Sequence, residues 1–370
     1  VLDALWRNAR NSLAGNLTGI ATDCPQRDER LGWLGDFGAF AQTALYQMDL
    51  AAFGGKWAWD VRDAAGRDGR FPDFAPHPFG SGDRFTGAPG WGDAGVSVPW
   101  TAYVNYGDRR LLERHFIAMQ HHVDYVMNYN RQYVWENQRG NDYGDWLNGS
   151  TIVGEGWKQE GCEIGKDAFA TAQLRATTKL MSKIALTVNG DETPSLVYQG
   201  MPAGQSTTYG DYAVSVANAF AQKYFDVDSK FVGGAQAGYV LALAWDLVPE
   251  FQRAKLVEHL LADVKARGNQ LTTGFLTTHR ALIELSRAGV PADGIACETR
   301  FPALGWQVGQ GATTMWERRD GFVPGRGFAD PGWQIVRGTE ADVERKGDEA
   351  IVIKGNGALG HGTILFGDEV

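Results

Sequence analysis

From the first residue to about residue 308, apolar positions recur at three- and four-residue intervals, the period of a helix with one buried face. The pattern predicts helices over 1–14, 37–62, 94–107, 109–131, 166–189, 211–225, 235–248, 251–267, 275–289 and 292–308. From Gly238 to Val248 the chain is apolar nearly all round, which marks a helix buried on every side. Breakers fall where helices should end, at Gly107-Asp108, Asn189-Gly190, Pro249, Gly268-Asn269 and Gly289-Val290-Pro291. The connections 15–36, 66–93, 138–162 and 190–210 are long and rich in Gly and aromatic residues, and loops of that length in a compact domain usually carry function. Helices joined alternately by short turns and long loops predict an all-α toroid whose long loops gather at one face and build a cleft.

The pattern changes after Phe322. Short β-branched runs separated by Gly and Asp, beginning with Trp333-Gln334-Ile335-Val336 and continuing through Ala350-Ile351-Val352-Ile353 to Thr363-Ile364-Leu365-Phe366, predict strands and hairpins. They resemble the opening of a concanavalin-like β-sandwich that is incomplete by Val370, too few strands to close one. The expected organisation is a helical domain over 1–330 and the start of a β-sandwich-like module over 331–370.

Composition narrows the function classes. A formal net charge of −9 over 370 residues disfavours nucleic acid as a partner, since phosphate affinity rests on an excess of Lys and Arg. No apolar run reaches the length of a membrane span, so no membrane partner is expected. Three widely spaced cysteines, Cys24, Cys162 and Cys297, predict neither a disulfide framework nor a metal site and suit a reduced, cytoplasmic interior. The 13 Trp are the unusual feature, because flat rings with a polar handle stack on sugars and some of these sit in Gly- and Asp-rich loops.

Two segments concentrate chemistry. Thr22-Asp23-Cys24-Pro25-Gln26-Arg27-Asp28-Glu29-Arg30-Leu31-Gly32-Trp33-Leu34-Gly35-Asp36 crowds carboxylates and guanidinium groups into a loop bounded by Pro and Gly, directly before an apolar helix. Ion pairing lowers the pKa of some of these carboxylates and like-charge crowding raises another, which separates an acid from a base at one pH. Gly309-Gln310-Gly311-Ala312-Thr313-Thr314-Met315-Trp316-Glu317-Arg318-Arg319-Asp320-Gly321 sets a second carboxylate beside an indole that would raise its pKa, with Arg residues that would lower it again. Two carboxyl groups facing each other across a scissile bond are what glycoside hydrolysis requires. A solvated charged loop and a helix-end ion pair are the plainer readings of the two segments.

The first segment resembles the signature of the α-L-rhamnosidases of glycoside hydrolase family 78, and Gly311-Ala312-Thr313-Thr314-Met315-Trp316-Glu317-Arg318 resembles their second signature. The resemblance covers roughly residues 1–330. It implies an (α/α)6 barrel and hydrolysis with inversion, with Glu29 as general acid and Glu317 as the base that activates water. Asp23, Arg27, Trp33 and Asp36 match positions that hold rhamnose. Pro89-Gly90-Trp91-Gly92-Asp93 and Tyr143-Gly144-Asp145-Trp146-Leu147 resemble later family loops, so Trp91, Asp93, Asp145 and Trp146 are expected sugar contacts. Thr273-Gly274-Phe275-Leu276 resembles a further segment with a structural part. The implied partner is a rhamnose-containing glycoside or polysaccharide; neither cofactor nor metal is implied. In this mechanism Glu29 is protonated and Glu317 ionised at working pH, roughly 6.5–9.5 Å apart. Trp33, Trp91 and Trp146 would pack against the apolar patch of the 6-deoxy sugar.

The chain departs from the family after the second signature. A Ser-Phe-Asn-His-Tyr segment that starts the last helical hairpin, and supplies a His to the site, is replaced after Gly327-Phe328-Ala329-Asp330-Pro331-Gly332 by β-like sequence. Ten helices are predicted where the resemblance implies twelve, which leaves the toroid apparently without its last hairpin and open on one flank. The alternative is a degenerate, inactive rhamnose-binding protein on the same fold. Among the remaining charged residues, Glu298 is the rival base, and Glu155, Glu160 and Glu163 could line subsites for the leaving group. His77 and His279 could reach the cleft, and His115, His121, His122 and His259 read as surface or core histidines.

Overall fold

The computed structural model describes residues 1–25, 29–79, 85–136, 142–148, 164–192, 206–291, 295, 304–309 and 311–315, together with the backbone of strand residues 333–337, 343–346, 350–353 and 358–361. The helices are α1 (Leu2–Asn16), α2 (Leu34–Gln47), α3 (Ala51–Asp63), α4 (Ala94–Tyr106), α5 (Arg109–Tyr129), α6 (Lys166–Asn189), α7 (Tyr209–Tyr224), α8 (Gln236–Ala244), α9 (Arg253–Ala266), α10 (Phe275–Arg287) and α11 (Leu304–Gly309).

Local chemistry accounts for the boundaries. The Asp108 side chain accepts from the Arg110 amide at the start of α5, and Thr208 does the same for Asp211 at the start of α7, each satisfying an orphan amide. Gly107 (φ 71°) and Gly190 (φ 82°) end α4 and α6 in the left-handed conformation that only glycine adopts without cost. α8 is buried along eight of its nine residues, as its all-round apolar sequence requires.

One expected helix is two. The single helix predicted over 37–62 breaks into α2 and α3 at Met48-Asp49-Leu50 without any Gly or Pro. The turn is held from outside and within: the Leu50 amide donates to Tyr106 Oη (2.7 Å), and Asp49 Oδ1 accepts from Ala51 N (3.1 Å). Burial of Leu50 at 5% exposure supplies the remaining reason to turn there. A tyrosine hydroxyl arriving from another helix leaves no local trace in the pattern.

The helices pack as alternating inner and outer members. α2 packs on α4, α4 on α6, α6 on α8 and α8 on α10, while α3, α5, α7 and α9 lie against their neighbours on the outside. α10 in turn touches α2, which brings the two ends of the described run together. One apolar core fills the space among α2 to α7, and a second runs from α8, α9 and α10 into the loops before α2 and α4. No described helix is long and apolar enough to cross a membrane.

The tail forms β1 (Trp333–Arg337), β2 (Val343–Lys346), β3 (Ala350–Ile353) and β4 (Ala358–His361). β2 pairs with β3 and β1 with β4, both antiparallel, with an irregularity between Ile335 and Arg337. The strand expected near Thr363–Phe366 lies outside the described residues.

Candidate active site

The first signature forms a loop closed at its base. The Asp23 amide donates to Leu31 O (2.9 Å) and the Leu31 amide returns to Asp23 Oδ1 (3.1 Å), which ties the chain before Cys24 to the chain after Arg30. The Asn16 side-chain amide, at the end of α1, donates to both Thr22 O (2.8 Å) and Asp23 O (2.6 Å). On the far side Ala75 N donates to Gly32 O (3.0 Å), and a Cβ on Gly32 would stand 2.2 Å from Ala75 O. No residue but glycine fits there.

Within this loop Glu29 is gripped by an indole. Trp33 Nε1 donates to Glu29 Oε1 at 2.8 Å, and Trp33 itself is almost fully buried. Asp23 and Glu29 lie in hydrogen-bond contact, and Cys24 also bonds to the Asp23 carboxyl. Burial, followed by the charge of Glu29, pushes the Asp23 carboxyl up from 3.8 to about 7. Asp23, Cys24 and Glu29 bring one potential ligand atom each within 4.8 Å of one another, a grouping that the spacing of the cysteines alone did not suggest. Its internal hydrogen bonds account for that closeness.

The wall behind Glu29 is aromatic. Trp33 meets Phe74 (4.9 Å) and Tyr143 (5.6 Å) edge-on, and Trp91 lies 4.5 Å from Tyr143, 6.4 Å from Trp146 and 6.0 Å from Phe275. Each such pair contributes about 0.5–1.5 kcal/mol beyond simple burial, so the wall is held by several mutually supporting contacts. The Trp91 indole rests on the backbone of α2, where a Cβ on Gly35 would come within 2.7 Å of the ring. Trp33 and Trp91 are 6% and 3% exposed, whereas Trp146 is only half-buried.

Asp73 is the hub that sequence reasoning missed. It is wholly buried, its Oδ1 accepts from Ala88 N (3.0 Å) and its Oδ2 from Tyr143 Oη (2.9 Å). Its backbone accepts from Leu34 N (2.8 Å) and donates to Phe85 O (2.8 Å). One residue therefore joins the loops that carry Trp33, Trp91 and Tyr143. Burial pushes its carboxyl from 3.8 to about 7. An Asp between Pro72 and Phe74 in a loop was the available signal, but only the fold shows what it gathers.

Asp93 and Asp145 each hold a loop. Asp93 Oδ2 accepts from Gly90 N (2.8 Å), and its Oδ1 lies 3.6 Å from His122 Nε2. Asp145 is fully buried and accepts from Gly274 N (2.8 Å), while Phe275 N donates to Trp146 O (3.0 Å). The segment around Gly274 thereby docks the Asp145–Trp146 loop onto the start of α10, the structural part expected of it. A Cβ on Gly274 would come within 2.4 Å of both Asp145 O and Trp146 O. Asp36 stands half-buried in the first turn of α2. His77 lies against Phe74 (4.9 Å), and burial followed by the charge of Arg280 pushes His279 down to about 3.

The second signature is described as far as Met315. Asn8 Nδ2 donates to Ala312 O (2.9 Å), Asn11 Nδ2 to Thr313 O (2.8 Å), and Met315 N to Ser12 Oγ (2.9 Å). These bonds dock it on α1. Arg27, Glu317, Glu298 and the loop with Glu155, Glu160 and Glu163 lie outside the described residues.

The domain family described as bacterial alpha-L-rhamnosidase 6 hairpin glycosidase domain matches residues 1–331. An alpha-L-rhamnosidase of Streptomyces avermitilis is 36% identical over 333 residues, 90% of this chain and 29% of that protein. One from Alteromonas sp. (strain LOR) is 30% identical over 336 residues, 90% of this chain and 34% of that protein. The crystal structure of the Streptomyces avermitilis enzyme complexed with L-rhamnose superposes with a TM-score of 0.74 at 35% identity, covering 87% of this chain and 29% of that one. Native alpha-L-rhamnosidase from Aspergillus terreus gives 0.77 at 28% identity, over 87% of this chain and 36% of its own. The chain thus spans about a third of the length of the relatives it matches.

Proposed function

The chain belongs to the bacterial alpha-L-rhamnosidase six-hairpin glycosidase family, and from that membership we propose that it removes terminal α-L-rhamnose from glycosides or polysaccharides with inversion of configuration. The observation that carries the proposal is the Asp23–Glu29 carboxyl pair, clamped by Trp33 against a buried aromatic wall.

In this reading Glu29 protonates the leaving oxygen as the glycosidic bond breaks. A general acid must keep its proton near neutral pH; beside Glu29, burial followed by the charge of Glu29 pushes the Asp23 carboxyl up to about 7. The indole N–H fixes one Glu29 oxygen, which limits the orientations of the other. Glu317 takes the proton from the attacking water. The half-buried Trp146 offers its ring to the 6-deoxy sugar, and Trp33 and Trp91 back the wall. Arg27 and Asp36 bind hydroxyl groups, while Asp93 and Asp145 act through the loops they hold.

The test is release of p-nitrophenol from its α-L-rhamnopyranoside, with NMR to assign the anomer first formed. Glu29→Gln and Glu317→Gln should each lower kcat/KM by at least about 10²-fold, the usual weight of acid–base catalysis, with unchanged circular dichroism. Retained activity in Glu317→Gln would move the base to Glu298. Saturable rhamnose binding without turnover by the parent would instead identify a binding protein.

A further inference from the structure

Asn8, Ser12 and Asn16 occupy every fourth position of α1 and so form one stripe, with Asn11 beside it. Asn and Ser are poor helix formers, because they compete for the backbone in other conformations. Four of them in a fifteen-residue helix require a reason beyond packing, which needs only the apolar face that buries Leu13.

The reason lies in what they hold. The N-terminal part of the stripe takes the second signature: Asn8 and Asn11 donate to Ala312 O and Thr313 O, and Ser12 Oγ accepts from Met315 N. The C-terminal part takes the first: Asn16 Nδ2 clasps Thr22 O and Asp23 O, and Asn16 O accepts from Thr22 N (2.9 Å). All these bonds reach backbone atoms of the signatures, so they set where each strand of chain runs whatever its side chains do. Met315 stands two residues before Glu317, and Asp23 pairs directly with Glu29.

We infer that α1 is a ruler that fixes the separation of the acid and base segments, with Ser12 and Asn16 as positioning residues. The inference rests on the acid–base reading of Glu29 and Glu317. A hydrogen-bonded helix is stiff along its axis, so it can hold two segments that are almost three hundred residues apart in sequence at a set distance.

The test measures kcat and KM on p-nitrophenyl α-L-rhamnopyranoside across pH for Ser12→Ala, Ser12→Thr, Asn11→Ala and Asn16→Ala, with thermal melts of each and with Glu29→Gln and Glu317→Gln alongside. Ser12→Ala should lower kcat about tenfold with KM within about twofold, since small misplacement of catalytic groups acts on the chemical step. It should also move the acidic limb of the kcat/KM profile, where the base ionises, and Ser12→Thr should restore both. Asn16→Ala should move the alkaline limb instead. Asn11→Ala, at an exposed position, should shift the acidic limb in the same direction but less. Limbs that stay in place while rates follow only the melting temperature, or no rescue by Ser12→Thr, would overturn the ruler. That failure is separate from failure of the acid–base reading, which would appear as activity retained in Glu29→Gln or Glu317→Gln.

Discussion

The two ends of the inner helices use the same residue types for opposite purposes. Where α2, α4 and α10 begin, carboxyl groups are buried with few cations: Asp73 is wholly enclosed, and Asp23 shares its pocket with Glu29. Where α8 and α10 finish, carboxylates are matched to bases, Asp246 with Lys179 and Arg253, and Glu284 with Arg253 and Arg287. Burial opposes ionisation of Asp246 as well, but its bonds and charge interaction with Lys179 and Arg253 hold its carboxyl below the usual range. Glycines divide the same way. Gly35 and Gly274 lack a side chain because a ring or two carbonyls occupy its place, whereas Gly107 and Gly190 face open space and are there for their positive φ. One end is built to keep protons and rings in place, the other to finish helices.

The largest expected difference between the ends is in pH. Asp73 holds a proton in the folded state from 3.8 up to about 7, over which the unfolded chain has already released it. Its contribution to stability is therefore full below about pH 4 and is lost as pH rises to about 7, an interval worth at most about 4 kcal/mol. Asp73→Asn should raise the melting temperature at pH 8 and flatten its dependence between pH 4 and 7. A wild-type melt already flat in that window would break the comparison. Asp246 has the opposite sign: its stabilisation is present above its unfolded pKa and is lost as pH falls through its depressed folded value.

Next in size is overpacking. Gly274→Ala should cost about 1–3 kcal/mol, measured by urea denaturation, and should weaken rhamnoside hydrolysis because the Trp146 loop must shift. At the other end, Gly190→Ala should cost about 1 kcal/mol through backbone strain alone, with kcat/KM unchanged. A loss of activity in Gly190→Ala equal to that in Gly274→Ala would erase the distinction. The smallest effect belongs to Lys179→Met, which removes an exposed ion pair worth under about 1 kcal/mol; 0.5 M salt should reduce even that.

The helical periodicity made most of the helical domain legible, because inner helices such as α8 must be apolar to be buried and Gly107 and Gly190 must end theirs. It failed at Met48–Leu50, where the break comes from Tyr106 in another helix. The site divides similarly. The charged loop containing Glu29 was visible as a cluster, as was Trp33 beside it. Asp73 was not, since its meaning depends on Tyr143, which reaches it from a loop seventy residues away. Nor could sequence show that Asp145 spends an oxygen on Gly274, or that Trp91 lies flat on Gly35.

The bond from Trp33 to Glu29 has an optical consequence. The emission of an indole depends on the charge and polarity beside its N–H, and this N–H is buried and points at the carboxyl pair. Trp33 is therefore a built-in reporter of the carboxyl pair beside it. The fluorescence difference between the parent and Trp33→Phe, followed through a pH titration, would trace ionisation of the Asp23 carboxyl, pushed up to about 7, without added substrate.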